Sequence, residues 1–297
     1  METKKGSSKF LVLLADDGSE HARAAVSLLA DLKLPQPCKV HVLRVLTPLQ
    51  AAEHLAIESA LETTRKMLVK KGMVAEAEML LGYPAEKIIE YAEENEPNLI
   101  VMGAKGLRST LGILLGGVAQ QVVEYAACPV LITRAPYNGL KKILVASDGS
   151  QSSNGAVEFI GNFPELSKAS IKVIHVLPPP PLPIAVVEPM FMDLTPTEPW
   201  EITAEEATRR KNEEEAGEVL LDNCCDILKS KGIKAEGILK RGDAATEIID
   251  FVKAEKIDLI VTGSRGLSQL RSWLMGSVSR KLVHYSGCSI LVVRGGN

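Results

Sequence analysis

The chain repeats itself. Gly263-Ser-Arg-Gly266 is followed, after nine intervening residues, by Gly276-Ser277; 160 positions earlier, Gly103-Ala-Lys-Gly106 is followed after nine residues by Gly116-Gly117. The same offset carries Gly82 onto Gly242, Ile88 onto Ile248 and Leu99-Ile100-Val101 onto Leu259-Ile260-Val261. It also carries Tyr125, Cys128 and Arg134 onto Tyr285, Cys288 and Arg294. So many identities in one register mean a duplicated module. Each copy has about 150 residues, enough to bury a core of its own. We place the boundary near residue 135, with one domain over 1–135 and the other over 136–297.

Within each copy, short apolar runs alternate with helical patterns. Lys9 to Ala15 is a continuous apolar run, as expected of a strand covered on both faces, and it ends in the turn residues Asp16-Asp17-Gly18-Ser19. Further strands are expected over 39–46, 74–81, 98–102 and 129–133. Helices are expected through about residue 32 and over 49–71, 84–94 and 118–127. The pattern restarts at Lys142-Ile-Leu-Val-Ala-Ser147, where Asp148-Gly149-Ser150 repeats Asp17-Gly18-Ser19 at an offset of 131. A strand over 171–177 and a helix over 203–231 follow. Strands alternating with helices imply βαβ units and a parallel sheet. Ligands in such sheets sit beyond the carboxyl ends of the strands, where the winding direction reverses. Asp17 and Gly103 both fall there.

The glycine motif suits an anion. A backbone without Cβ atoms can approach a bulky ligand closely, and a helix start offers unpaired N–H groups with a partial positive charge. Ser277 can cap the helix it opens, or lend its hydroxyl to the same anion. Competing structural roles exist for these residues. Asp17 and Asp148 could cap the helices that follow them, the glycines could serve strand–helix packing, and Lys105 and Arg265 could be solvated charges.

The offset grows from 131 to 160 between the second and third strands, so the second copy carries a 29-residue insertion. It begins at Pro178-Pro-Pro-Pro-Leu-Pro183, spans about residues 178–206, and reads either as a mobile loop or as a flap whose apolar residues cover the second site or a subunit contact. The net charge of −3 gives no electrostatic case for nucleic acid or an anionic membrane, and 4% aromatics are too few for base-stacking platforms. No apolar run approaches the ~18 residues of a membrane helix, and no secretory signal is visible. Five cysteines, an odd number without a CxxC, are expected as free thiols in a reducing cytoplasm. Cys224-Cys225 reads as core filler or as a redox pair. The five histidines show no metal-ligand spacing. P-loop, G-x-G-x-x-G and G-x-S-x-G motifs are absent from the sequence.

The Asp at the end of strand one, the G-x2-G-x9-G-S spacing and the strand order together make the chain resemble the universal stress protein family. It is similar to the tandem type, with two such domains in one polypeptide. The resemblance implies two Rossmann-like domains, each an open five-stranded parallel sheet ordered 3-2-1-4-5 with helices on both faces. It also implies ATP as the ligand, alone or with Mg²⁺. By that similarity Asp148 and the backbone of Val176 sit at the adenosine end. Gly263, Arg265 and Gly266 line the ribose and phosphates, and Gly276, Ser277, Val278 and Ser279 hold the phosphates. The matching positions in the first copy are Asp17, Val45, Gly103, Lys105, Gly106, Gly116, Gly117 and Val118. That copy departs from the pattern, because Gly117 replaces the serine and Ala119 stands opposite Ser279. The expected function is an ATP-binding regulatory or stress-response protein with a stronger C-terminal site, pairing its halves about a pseudo-twofold axis and able to form a homodimer. The rivals are a slow ATP-hydrolysing or nucleotidyl-transferring enzyme and a scaffold that binds no nucleotide.

Overall fold

The computed structural model of the chain describes residues 9–48, 50, 54–106, 115–163, 166–180, 203–266 and 275–294. Most of the proline-rich insertion, 181–202, and the excursions between the paired glycine motifs, 107–114 and 267–274, lie outside the described residues. The first half runs β1 (Phe10–Ala15), α1 (Glu20–Leu32), β2 (Cys38–Leu46), α2 (His54–Lys70), β3 (Val74–Leu81), α3 (Pro84–Asn95), β4 (Leu99–Gly103), α4 (Gly117–Tyr125) and β5 (Val130–Thr133). The second runs β6 (Lys142–Ala146), α5 (Gln151–Gly161), β7 (Ser170–Leu177), α6 (Ala204–Ser230), β8 (Ala235–Arg241), α7 (Ala244–Glu255), β9 (Leu259–Gly263), α8 (Ser277–Tyr285) and β10 (Ser289–Val293).

The strand order is β3-β2-β1-β4-β5-β10-β9-β6-β7-β8, so each half has the order 3-2-1-4-5 and the two join into one ten-stranded sheet. Pairing is parallel within each half and antiparallel at the β5–β10 seam, where Ile132, Leu131 and Val130 face Ile290, Leu291 and Val292. Two core layers run the length of this sheet. Along β1, Val12 and Leu14 point into one layer with α1, α2, α5 and α6, while Leu13 and Ala15 point into the other with α3, α4, α7 and α8. Burial on both faces is why β1 is an unbroken apolar run rather than an alternating one. Cys224 is buried and Cys225 half-buried on α6, and all five cysteines are free thiols.

The seam is locked by reciprocal arginines. Arg134 crosses from the first half to donate to the Val283 carbonyl at 2.7 Å and the Cys288 carbonyl at 3.1 Å. Arg294 crosses back to donate to the Val123 carbonyl at 3.0 Å and to the Glu124 carbonyl. Each cation thus meets at least one last-turn carbonyl of a helix in the other half, where orphan acceptors and the negative dipole end both favour it. The repeat offset of 160 relates the two arginines, so the pseudo-twofold axis passes through this seam. Burial holds both guanidinium pKa values below their ordinary value and pushes the Cys288 thiol up to about 12.

Candidate functional site

Each half has a crevice at the carboxyl ends of its central strands, where the winding reverses from β1 to β4 and from β6 to β9. In the second half, Ser150 caps α5 by accepting from the Ser153 amide, and Asp148 Oδ1 accepts from the Ser150 amide at 3.0 Å. The aspartate therefore shapes an Asx-type turn and is not the helix cap. The first half matches: Ser19 caps α1, and Asp17 Oδ1 accepts from the Ser19 amide at 2.9 Å. Each capping hydroxyl also reaches across to the glycine turn, Ser150 to the Arg265 carbonyl at 3.3 Å and Ser19 to the Lys105 carbonyl at 3.2 Å. The two loops at the strand ends are tied together.

The glycines have separate reasons. A Cβ on Gly263 would lie 2.6 Å from the Ser152 carbonyl carbon, and one on Gly103 would lie 2.7 Å from His21 Cβ. At these positions strand–helix packing demands glycine. A Cβ on Gly266 would lie 2.5 Å from Asp148 Oδ2, and one on Gly106 would lie 2.7 Å from Asp17 Oδ2. Here glycine leaves the carboxylate its place in the crevice. Gly117 has no atom within 4 Å of an added Cβ; its lack of a side chain is not a steric requirement.

In the second half Asp148, Val176, Gly263, Arg265, Gly266, Gly276, Ser277, Val278 and Ser279 all line one cavity of about 230 Å³. Gly276 is the N-cap of α8 and makes no side-chain cap bond, so Ser277 is the first helical residue rather than the cap. Its hydroxyl is exposed and makes no hydrogen bond among the described residues. The Ser279 hydroxyl, in contrast, is buried and donates to the Gly263 carbonyl at 2.7 Å. Its proton is committed to the protein. The Nε of Arg265 is buried without a partner among the described residues. Sequence reasoning missed Ser147, Ser153, His175 and Thr262 in this wall. His175 Nδ1 meets the Ser147 carbonyl at 2.9 Å. Its adjacency to Val176 was the available signal.

In the first half Asp17, Val45, Gly103, Gly106, Gly116, Gly117 and Val118 line a cavity of about 680 Å³. Lys105 is not among its lining residues; its charge bears on His21, whose pKa is lowered first by burial and next by that lysine. A buried ion pair forms the floor. Arg44 Nη2 lies 2.9 Å from Asp16 Oδ2, Arg44 Nε donates to the Asp16 carbonyl at 2.9 Å, and Thr64 donates to Asp16 Oδ2 at 3.0 Å. The second half replaces all three, with Ser147, His175 and Cys224 at the matching positions. Among the described residues no group of three or more His, Cys, Asp or Glu side chains is placed to hold a metal ion, and no helix is long and apolar enough to cross a membrane.

The sequence model of the universal stress protein family matches the chain twice, over residues 11–134 and 139–294. Universal stress protein YxiE of Bacillus subtilis is 33% identical over 153 residues, covering 52% of this chain and 98% of that protein. A universal stress protein of Methanocaldococcus jannaschii is 43% identical over 163 residues, covering 55% of this chain and 87% of that one. Among solved structures, a universal stress protein from Archaeoglobus fulgidus shares the fold with a TM-score of 0.67 at 21% identity, over 97% of this chain and 100% of its own. Two family matches in series, on a fold whose halves repeat each other, establish that the chain belongs to the universal stress protein family, as a tandem member.

Proposed function

We propose that the protein is an ATP-binding regulatory protein in which the C-terminal crevice is the stronger nucleotide site. The observation that carries this is the convergence, on one cavity, of the Asp148 carboxylate, the glycine turn, the start of α8 and Arg265, whose Nε is buried without a partner among the described residues. A buried donor without an acceptor is costly, and an anion in the crevice would relieve that cost. The enclosed volume is below the ~300–1,000 Å³ of typical small-molecule sites. It suits the base and ribose, with the phosphates extending along the α8 N-terminus towards solvent. Asp148 and the Val176 backbone then face the adenosine. Arg265, Ser277 and the amides of 277–279 face the phosphates, with or without Mg²⁺ accompanying the nucleotide. Occupancy would bias conformation or partner choice, in the cytoplasm and within a chain able to dimerise.

Calorimetry of the full chain with ATP tests this. Gly266→Val forces a side chain onto Asp148 Oδ2 and should abolish the tighter binding, whereas Gly106→Val should leave it intact. Equal ATP affinity in wild type and Gly266→Val would end the proposal. Mass spectrometry of ligand released from the native protein identifies the nucleotide.

A further inference from the structure

The two outer rims of the ten-stranded sheet differ in character. Five of the nine exposed large apolar side chains among the described residues, Leu55, Val69, Val74, Leu81 and Tyr83, lie on α2, on β3 or in the turn after it. The repeat offset of 160 puts Glu215, Lys229, Lys234, Arg241 and Asp243 at the same places on or beside α6 and β8. Charges are what edge strands ordinarily use to refuse partners; the second rim has them where the first has apolar side chains. β3 ends the sheet and pairs only with β2 among the described residues, so alternate N–H and C=O groups along its outer side meet no strand. The helix above it also sits differently. In the second half α6 is close on β8: a Cβ on Gly217 would lie 2.7 Å from Leu239 Cδ1, and one on Gly237 would lie 3.1 Å from Leu221 Cβ. Ile57 and Ala77 take those positions in the first half. There a groove of about 470 Å³ runs between α2 and β3, lined by Leu55, Leu61, Ala77 and Met79 with Glu58 and Glu62 on its helix side.

Successive β3 residues also differ in kind. Ala75, Ala77 and Met79 turn to the α2 side and join its core layer. Glu76 and Glu78 turn to the α3 side, with side chains 59% and 44% exposed. Glu76 is paired with Lys39, and Glu78 lies 3.1 Å from Nε2 of His41, whose ring stacks on Tyr91. Burial, the largest cause, lowers the His41 pKa, so near neutral pH the imidazole does not cancel the Glu78 charge. A strand added to β3 would present its own residues alternately to these two sides. Apolar residues suit the groove, and a lysine or arginine suits the glutamates. A second copy suits this edge poorly, because antiparallel pairing through the middle of β3 sets glutamate against glutamate, and like charges directly opposite are destabilising.

We propose that the β3 rim is a docking surface for an extended segment of another protein, which adds as one more strand with apolar residues towards α2 and lysine or arginine towards Glu76 and Glu78. The proposal goes beyond the nucleotide reading and stands whether or not the second crevice binds ATP. The test titrates the full chain into a fluorescent seven-residue peptide that alternates valine with lysine, and follows its anisotropy. Saturation at one peptide per chain is expected. A peptide alternating valine with glutamate should bind at least tenfold more weakly, as should the lysine peptide with a central proline, which cannot complete the ladder. Leu55→Glu should lose at least fivefold in affinity for the lysine peptide. It copies Glu215 at an exposed position, and it adds an acid, so only the lost apolar contact can weaken a basic peptide. Should circular dichroism show that variant unfolded, Leu81→Arg, which copies Arg241, takes its place. Absence of saturable binding, equal affinity for the glutamate or proline peptide, or unchanged affinity in the rim variant would each overturn the proposal. So would sedimentation showing two copies joined in the wild type and separated in Leu81→Arg, or peptide binding that appears only once residues 1–8 are removed, since the occupant would then be a second copy or the chain itself. Failure of ATP to bind the wild type would sink the nucleotide reading and leave this one standing.

Discussion

Ser277→Gly isolates the hydroxyl on which the inequality of the two crevices rests. In the free protein the change is nearly silent, because Gly276 already occupies the N-cap and the Ser277 hydroxyl is exposed and makes no hydrogen bond among the described residues. Glycine at a helical position costs about 0.5 kcal/mol relative to serine. In the complex, a hydrogen bond to a charged phosphate is lost, at about 1.5–3 kcal/mol. That corresponds to roughly one to two decades in affinity. The exposure of the site places the expectation at the lower end, about tenfold. Calorimetry at fixed ionic strength reads the affinity, and thermal unfolding confirms an intact fold. Ser279→Ala is the internal contrast. Its hydroxyl is bonded to the Gly263 carbonyl at 2.7 Å, so it should cost about 1–2 kcal/mol of stability and little affinity. Gly117→Ser, sterically free, should raise ATP binding in the first half by no more than about tenfold. If Ser277→Gly shifts the affinity less than twofold, the hydroxyl argument is wrong, and the inequality must come from charge and volume alone.

Arg134→Ala removes the donor for a buried and a part-buried carbonyl across the seam, at a cost of about 3 kcal/mol; with an unfolding entropy near 2.1 cal/mol/K per residue this is a drop in Tm of roughly 5 °C by calorimetry. The His21 pKa is lowered by burial and its Nδ1 accepts from the Ala135 amide at 2.9 Å, so the neutral form is the one that folds. Its stabilisation is complete above the ordinary value of 6.5 and is lost as pH falls below it. Thermal scans should show Tm falling between pH 7.5 and 5.5, and His21→Asn, which keeps an acceptor, should flatten part of that fall; an unchanged slope refutes the assignment. Arg44→His alone leaves Asp16 buried without its cation and should cost about 3–5 kcal/mol in urea unfolding, whereas the joint change Asp16→Ser, Arg44→His, Thr64→Cys should restore most of it.

Much of the fold was legible because strands covered on both faces cannot hide. The strands at 10–15, 99–103 and 130–133 begin or end within a residue of the expected positions, and the largely exposed edge strand Val74–Leu81 has its expected bounds as well. The helix expected from residue 49 is observed from His54. Thr47 closes the strand before it by bonding Gln50 Oε1, and 49 and 51–53 lie outside the described residues. Fusion of the two sheets had no local signature, since Val130–Thr133 would read the same as an edge or an interior strand. Its one trace was the conserved spacing of Arg134 and Arg294, whose partners only the fold reveals. At the site, the pattern located the crevices but not the division of labour within them. Which glycine serves packing and which serves the carboxylate depends on where α1, α5 and the aspartates lie, and the commitment of Ser279 to the Gly263 carbonyl is invisible in a motif. Lys105 and Arg265 match in the alignment, yet only Arg265 lines its cavity.

Because the chain is its own reference, each half shows what the other could have been. Asp16, Arg44 and Thr64 differ from Ser147, His175 and Cys224 at three positions that touch one another. The exchange must be joint for a physical reason: a buried carboxylate or guanidinium left alone costs far more than the pair, while a serine, a histidine and a thiol can each be satisfied by neutral bonds. The charged set also fixes the geometry more tightly, tying β1, β2 and α2 together through Arg44, which reaches the Ile57 carbonyl at 3.4 Å. With α2 tied to the strands in this way, releasing Arg44 should let the helix shift, and a first cavity that keeps its volume of about 680 Å³ in the joint variant would refute that link.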